Sequence, residues 1–137
     1  MDRADFHALY ERYSQDVFRF AFYLCGDRAL AEDVAADTFV KVWTTFERVR
    51  TSTVKGYLFA IARSLILQRA RKGRSEEVSD TLADPAPGPA SSASERQELR
   101  AVLAALRQLP EDDRAALLMR ALDGMSHEEI EIGRAHV

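Results

Sequence analysis

Apolar residues return every three or four positions through the first half of the chain. Phe6, Leu9, Tyr10, Tyr13, Val17, Phe20, Ala21 and Leu24 fall on one side of a helical wheel, the period of a helix that lays one face on a core. Gly26 predicts the end of that helix and Asp27 the N-cap of the next. In the second helix Ala31, Val34, Ala35, Thr38, Phe39, Val42 and Phe46 form a buried arc. Asp33, Asp37, Val40, Lys41 and Thr44 gather on the opposite arc, which is amphipathic in its own right. A turn-like segment from Glu47 to Thr53 follows, with Thr53 placed to cap a third helix. That helix turns Val54, Tyr57, Leu58, Ile61 and Leu65 inward and leaves Lys55, Arg63, Arg69, Arg71 and Lys72 for an outer basic surface.

The pattern stops near residue 74. From Ser75 to Ser94 the chain holds Pro85, Pro87, Gly88 and Pro89 among serines, alanines and acids, with almost nothing to bury, which is the composition of a flexible tether. Its acids either keep it in solvent or let it fold back loosely over the basic helix. Ser94 with Gln97 reads as a capping box that opens a fourth helix through Leu99, Val102, Leu103 and Leu106. Pro110, followed by Glu111, Asp112 and Asp113, opens a fifth, packed through Leu117, Leu118 and Leu122 until Gly124. A second capping box, Ser126 with Glu129, begins a sixth. A helix, a Gly turn and a capped helix make the front of a helix-turn-helix.

The expected fold is therefore all-α: a three-helix bundle over 1–73, a linker over 74–94 and an incomplete helix-turn-helix over 95–130. Residues 131–137, EIGRAHV, break the apolar period at Gly133. They resemble the in-frame translation of a common sequencing adapter and read as a non-native tail; a natural frayed end is the alternative.

Charge sharpens this picture. The chain has a net charge of −3, yet Arg48 to Arg74 contains eight Lys or Arg and no acid. Docking on phosphates depends on the local field, not on the average, so the segment is either a polyanion-facing surface or a solvated helix face. No apolar run is long enough to cross a membrane, and Asp2 and Asp5 behind Met1 do not begin a secretory leader, so a cytoplasmic protein is expected. A single cysteine, Cys25, excludes an internal disulfide and reads as a small packed side chain. His7, His127 and His136 are scattered and no Gly-rich phosphate loop is present, so neither an enzyme nor a metal or cofactor site is expected.

Four stretches taken together, FHALYERY, GDRALAEDVAADTFVKVW, GYLFAIARSLILQRARK and LRQLPEDDRAALLMRALDGMSHEEI, resemble in order and spacing the bacterial extracytoplasmic-function (ECF) sigma factors. These small initiation factors consist of sigma regions two and four joined by a linker. The resemblance covers about 1–73 and 96–130 and implies a C-terminally truncated region four without its recognition helix. It also implies the partners: core RNA polymerase through a coiled coil of its clamp, promoter DNA with the minus-ten element as a single strand, and an anti-sigma factor in a stress response.

By that resemblance Asp33, Asp37, Val40, Lys41 and Thr44 meet the polymerase. The loop residues Arg48, Arg50, Thr51 and Ser52 hold a flipped base, and Lys55, Arg63, Ser64, Gln68, Arg69, Arg71 and Lys72 hold backbone or bases nearby. Ser64 stands where family members commonly have Asn, which weakens any amide-specific base contact there. Tyr57 is open to either core packing or base stacking. A stand-alone helix-turn-helix DNA-binding regulator is the alternative to the sigma reading, and would bind duplex DNA without polymerase.

Overall fold

The computed structural model describes residues 2–45, 54–72 and 92–123, and among these every regular element is a helix. Helix α1 spans Arg3–Cys25, α2 Arg28–Thr45, α3 Val54–Lys72, α4 Ala93–Arg107 and α5 Glu111–Asp123. The Asp2 carboxylate caps α1 by accepting from the Asp5 amide at 2.8 Å. At the other end Gly26 takes the left-handed conformation (φ 72°) and its N–H reaches the Phe22 carbonyl at 2.7 Å, a geometry that a Cβ would strain. Asp27 follows at once and accepts from the Leu30 amide at 3.1 Å. Two residues thus end one helix and start the next, which sends α2 back along α1.

The core lies where α1, α2 and α3 meet, with α5 laid along α1. Val17, Phe20, Ala21 and Leu24 from α1, Ala31, Val34, Phe39 and Val42 from α2, and Leu58, Phe59, Ala62 and Ile66 from α3 are buried in it. Phe20 and Phe59 are stacked at its centre, centroids 4.5 Å apart. The expected arc of α2 is present, although Phe46 lies outside the described residues. Thr38 is accommodated in this apolar setting because its hydroxyl donates to the Val34 carbonyl at 2.7 Å, which removes the cost of an unpaired buried polar atom.

Four expectations need correction. The first half of α3 has no solvent side: Val54, Gly56 and residues 58–63 are buried around the whole helix. Short side chains (Gly56, Ala60, Ala62) let neighbours approach from several directions, which a single inward stripe does not anticipate. Helix α4 starts at Ala93, with Ser92 rather than Ser94 as its N-cap, because the Ser92 hydroxyl accepts from the Glu95 amide at 3.1 Å. Pro110 precedes α5 instead of opening it, its carbonyl accepting from the Arg114 amide at 2.9 Å. Tyr10, Val102 and Leu117, assigned to apolar stripes, are exposed. Thr53 and the Ser126–Glu129 box lie outside the described residues.

The α4–α5 pair is anchored on α1 by apolar and polar contacts. Leu103, Leu106, Ala115, Leu118 and Met119 join the common core. Helix α1 has no basic residue in its own last turn, so its terminal carbonyls carry an uncompensated partial negative charge. Two arginines from the other pair supply the counter-charge. Arg107 donates to the Cys25 carbonyl. Arg114 donates to three carbonyls at once, Leu24 at 2.9 Å, Leu106 at 2.9 Å and Leu109 at 3.0 Å. Burial, then the nearby Arg107, pushes the Arg114 pKa down from its usual value.

Candidate functional site

The exposed arc of α2 is a ridge of mixed character. Asp33, Val40, Lys41 and Thr44 are exposed, with Val40 at 63%. The Thr44 hydroxyl turns back onto the Lys41 carbonyl at 2.8 Å, so its methyl group is what the ridge can offer a partner. Asp37 lies at the edge of the ridge towards α3, half exposed, and is ion-paired with Arg69.

One flank of this ridge escaped sequence reasoning. Trp43 is exposed beside Val40 and packs edge-on against Phe6, centroids 5.0 Å apart, while Tyr10 packs edge-on against Phe39 at the same distance. The signal was available: Trp43 lies three residues past Val40, on the same side of a helical wheel. Below it runs an open groove of about 270 Å³ between α1 and α2, lined by Tyr10, Ser14, Gln15, Phe18, Glu32, Ala35, Ala36 and Phe39. Glu32 is the one ionisable carboxylate in that lining and is paired with Arg28 at 3.1 Å. The groove therefore has shape without converging acid–base groups.

The basic residues of α3 divide into two groups. In the second half of the helix Ser64 and Arg69 are half-buried, and Gln68 and Arg71 are exposed. Gln68 donates to the Ser64 hydroxyl at 3.3 Å. Ser64, Gln68 and Arg71 share one face of the helix at i, i+4 and i+7, whereas Arg69 lies on another side, turned towards Asp37 of α2. Lys72 closes the helix, but its side chain, like Arg48, Arg50, Thr51 and Ser52, lies outside the described residues. Lys55 is half-buried near the start of the helix.

Arg63 does not belong to an open basic surface. It is buried, and its Nε donates to Glu111 Oε2 at 2.6 Å while Nη2 donates to Oε1. This two-pronged pair ties α3 to the first turn of α5. The hydrogen bonds to Glu111 raise the Arg63 pKa above its already high value, so the guanidinium stays charged. No sequence pattern couples positions 63 and 111. Only the docking of α5 brings that carboxylate to α3.

Tyr57 is half-buried against the core, and its hydroxyl shares a 2.8 Å hydrogen bond with that of Thr45, so packing accounts for it. Cys25 is partly buried and its thiol donates to the Asp27 carbonyl at 3.4 Å. Burial pushes its pKa up to about 11. No helix among the described residues is long and apolar enough to cross a membrane.

What the arrangement can do is bind: a ridge of acids and apolar groups on α2, and a basic and polar edge on α3. Comparison with known proteins shows the family. Residues 9–76 match the family model for Sigma-70 region 2, and residues 99–131 match that for Sigma-70, region 4. The chain is 30% identical over 124 residues to the ECF RNA polymerase sigma factor SigM of Bacillus subtilis (strain 168), an alignment covering 88% of this chain and 76% of that protein. It is 28% identical over 134 residues to SigX of the same organism, covering 90% and 69%. It is 30% identical over 128 residues to SigE of Mycolicibacterium smegmatis, covering 89% and 50%. Two matched regions in the expected order, together with relatives such as SigM, establish that this chain belongs to the ECF family of RNA polymerase sigma factors.

Proposed function

We propose that this sigma factor grips core RNA polymerase with the α2 ridge and captures the promoter minus-ten element, as an unpaired strand, on the second half of α3 and the loop before it. The observation that carries the proposal is the separation of two exposed faces of opposite character on adjacent helices. Asp33, Val40 and Lys41 on α2 suit a basic, partly apolar helical partner such as the clamp coiled coil. Ser64, Gln68, Arg69, Arg71 and Lys72, with Arg48, Arg50, Thr51, Ser52 and Lys55, supply the cations and hydrogen-bonding groups that hold phosphates and unstacked bases. The protein performs no bond chemistry. It works in the cytoplasm, and an anti-sigma factor restrains it by masking the polymerase-binding face.

Reconstituted holoenzyme on a promoter template tests this. Asp33→Arg with Lys41→Glu is expected to lower core binding in a pull-down titration. Arg69→Ala with Arg71→Ala is expected not to weaken core binding and to reduce the permanganate reactivity of unpaired thymines. Tight binding of duplex DNA by the chain alone, unaffected by core polymerase, would instead identify a stand-alone helix-turn-helix regulator.

A further inference from the structure

One ion pair joins the two proposed faces. Arg69 Nη2 on α3 donates to Asp37 Oδ2 on α2, 32 positions away in sequence. The pair is open to solvent, with the Asp37 side chain 47% and the Arg69 side chain 32% exposed. Ion pairs this exposed contribute little to folding, so stability alone does not account for it. A guanidinium donor already held by a carboxylate is not presented to a phosphate, and a carboxylate held by a guanidinium is partly neutralised towards a basic partner.

We propose that Asp37 is a positioning residue that parks Arg69 against α2 in the free protein and releases it when polymerase takes the carboxylate. Gripping the polymerase and capturing the promoter strand are thereby coupled through a single ion pair. The inference rests on the proposed function, in which α2 meets the polymerase and α3 meets the strand. A basic group of the polymerase arriving at Asp37 competes for its oxygens and repels Arg69, so both effects push the guanidinium outward. Coupling between two binding events is reciprocal: a strand that captures Arg69 frees Asp37 for the polymerase by the same factor. Its size is limited by the strength of a half-exposed pair, which sets a ceiling of about fivefold in either affinity.

The test is a double-mutant cycle on the full chain, read by fluorescence anisotropy with a labelled single-stranded oligothymidine. Wild type, D37N, R69A, D37N/R69A and D33N are compared, each shown to be folded by circular dichroism. Asp33 has no ion pair among the described residues, so D33N reports the effect of losing one acid from α2. D37N is expected to tighten strand binding by about two- to fivefold, more than D33N does. In the R69A background the effect of D37N shrinks to that of D33N, and the conservative D37E keeps wild-type affinity. With core polymerase present, saturating oligonucleotide raises core affinity for wild type but not for R69A.

Equal effects of D37N and D33N in both backgrounds, or weaker strand binding by D37N, overturn the coupling. A separate measurement isolates the underlying reading. If R71A leaves strand binding by the holoenzyme unchanged, the α3 face itself is misassigned. If R71A weakens binding while the cycle is additive, only the Asp37 inference fails.

Discussion

Glu111→Gln tests the most enclosed charge among the described residues, that of Arg63. It removes the negative charge facing Arg63 while nearly preserving shape. The Arg63 side chain is 9% exposed and that of Glu111 28%, so the two partners are not equivalent. The Arg63 pKa is raised by its bonds to Glu111, and even without them an arginine remains protonated at any working pH. It cannot escape burial by losing its proton. Removing one member of a buried pair costs about 3–5 kcal/mol. Gln still offers one carbonyl acceptor, and Asp112 also favours the Arg63 charge, so a loss of about 2–3 kcal/mol is expected.

The reverse change should be milder. Arg63→Met keeps apolar bulk and leaves Glu111 more than a quarter exposed, in the first turn of α5, where the helix N-terminus favours a negative charge. Its expected cost is below about 1 kcal/mol. Urea unfolding followed by circular dichroism separates the two. With a slope of about 1–3 kcal/mol per molar urea, Glu111→Gln lowers the midpoint by roughly 1 M and Arg63→Met by much less. An equal or larger loss for Arg63→Met refutes the reasoning, because burial of the guanidinium would then not be the dominant cost.

Further outcomes follow from other parts of the fold. Phe59→Ala empties the centre of the core beside Phe20 and should cost about 3–5 kcal/mol in the same urea assay, whereas Leu117→Ala, at an exposed position, should stay within about 0.5 kcal/mol. Gly26→Ala forces a Cβ into a left-handed cap and should cost about 1 kcal/mol, with Asp27→Ala adding a similar loss at the α2 N-cap. Cys25, its thiol pKa pushed up by burial to about 11, should alkylate slowly near neutral pH and about tenfold faster per pH unit as the medium rises towards that value. The same shift has a sign for folding. The unfolded thiol ionises first, so stability is unchanged below the ordinary pKa of 9.0 and falls between there and about 11. A flat alkylation profile across that window excludes the buried thiol.

Local rules made much of the molecule legible in the sequence. The period of apolar positions in α1 and α2 placed both buried arcs, because a helix fixes which residues share a face. Gly26 and Asp27 announced the first turn, since a left-handed cap and an N-cap each require a particular backbone or side-chain chemistry. The exposed ridge of α2 followed from the same geometry. The error over α3 arose because that helix has more than one neighbour. A wheel assigns α3 one buried stripe, but α1 and α2 surround its first half, and α5 reaches Arg63 through Glu111.

Sequence by itself determined the five described helices, the turn at Gly26 and Asp27, the cluster of cations and the family motifs, because these depend on residues within a few turns of one another. Tertiary structure alone decided which cations face solvent and which are already paired. Arg63 and Arg71 are indistinguishable as letters in a basic helix, yet one is enclosed against Glu111 and the other is exposed. The reason is that a charge's surroundings are set by whatever the fold brings next to it, here acids 48 and 32 positions away in the chain. No local pattern encodes that distance.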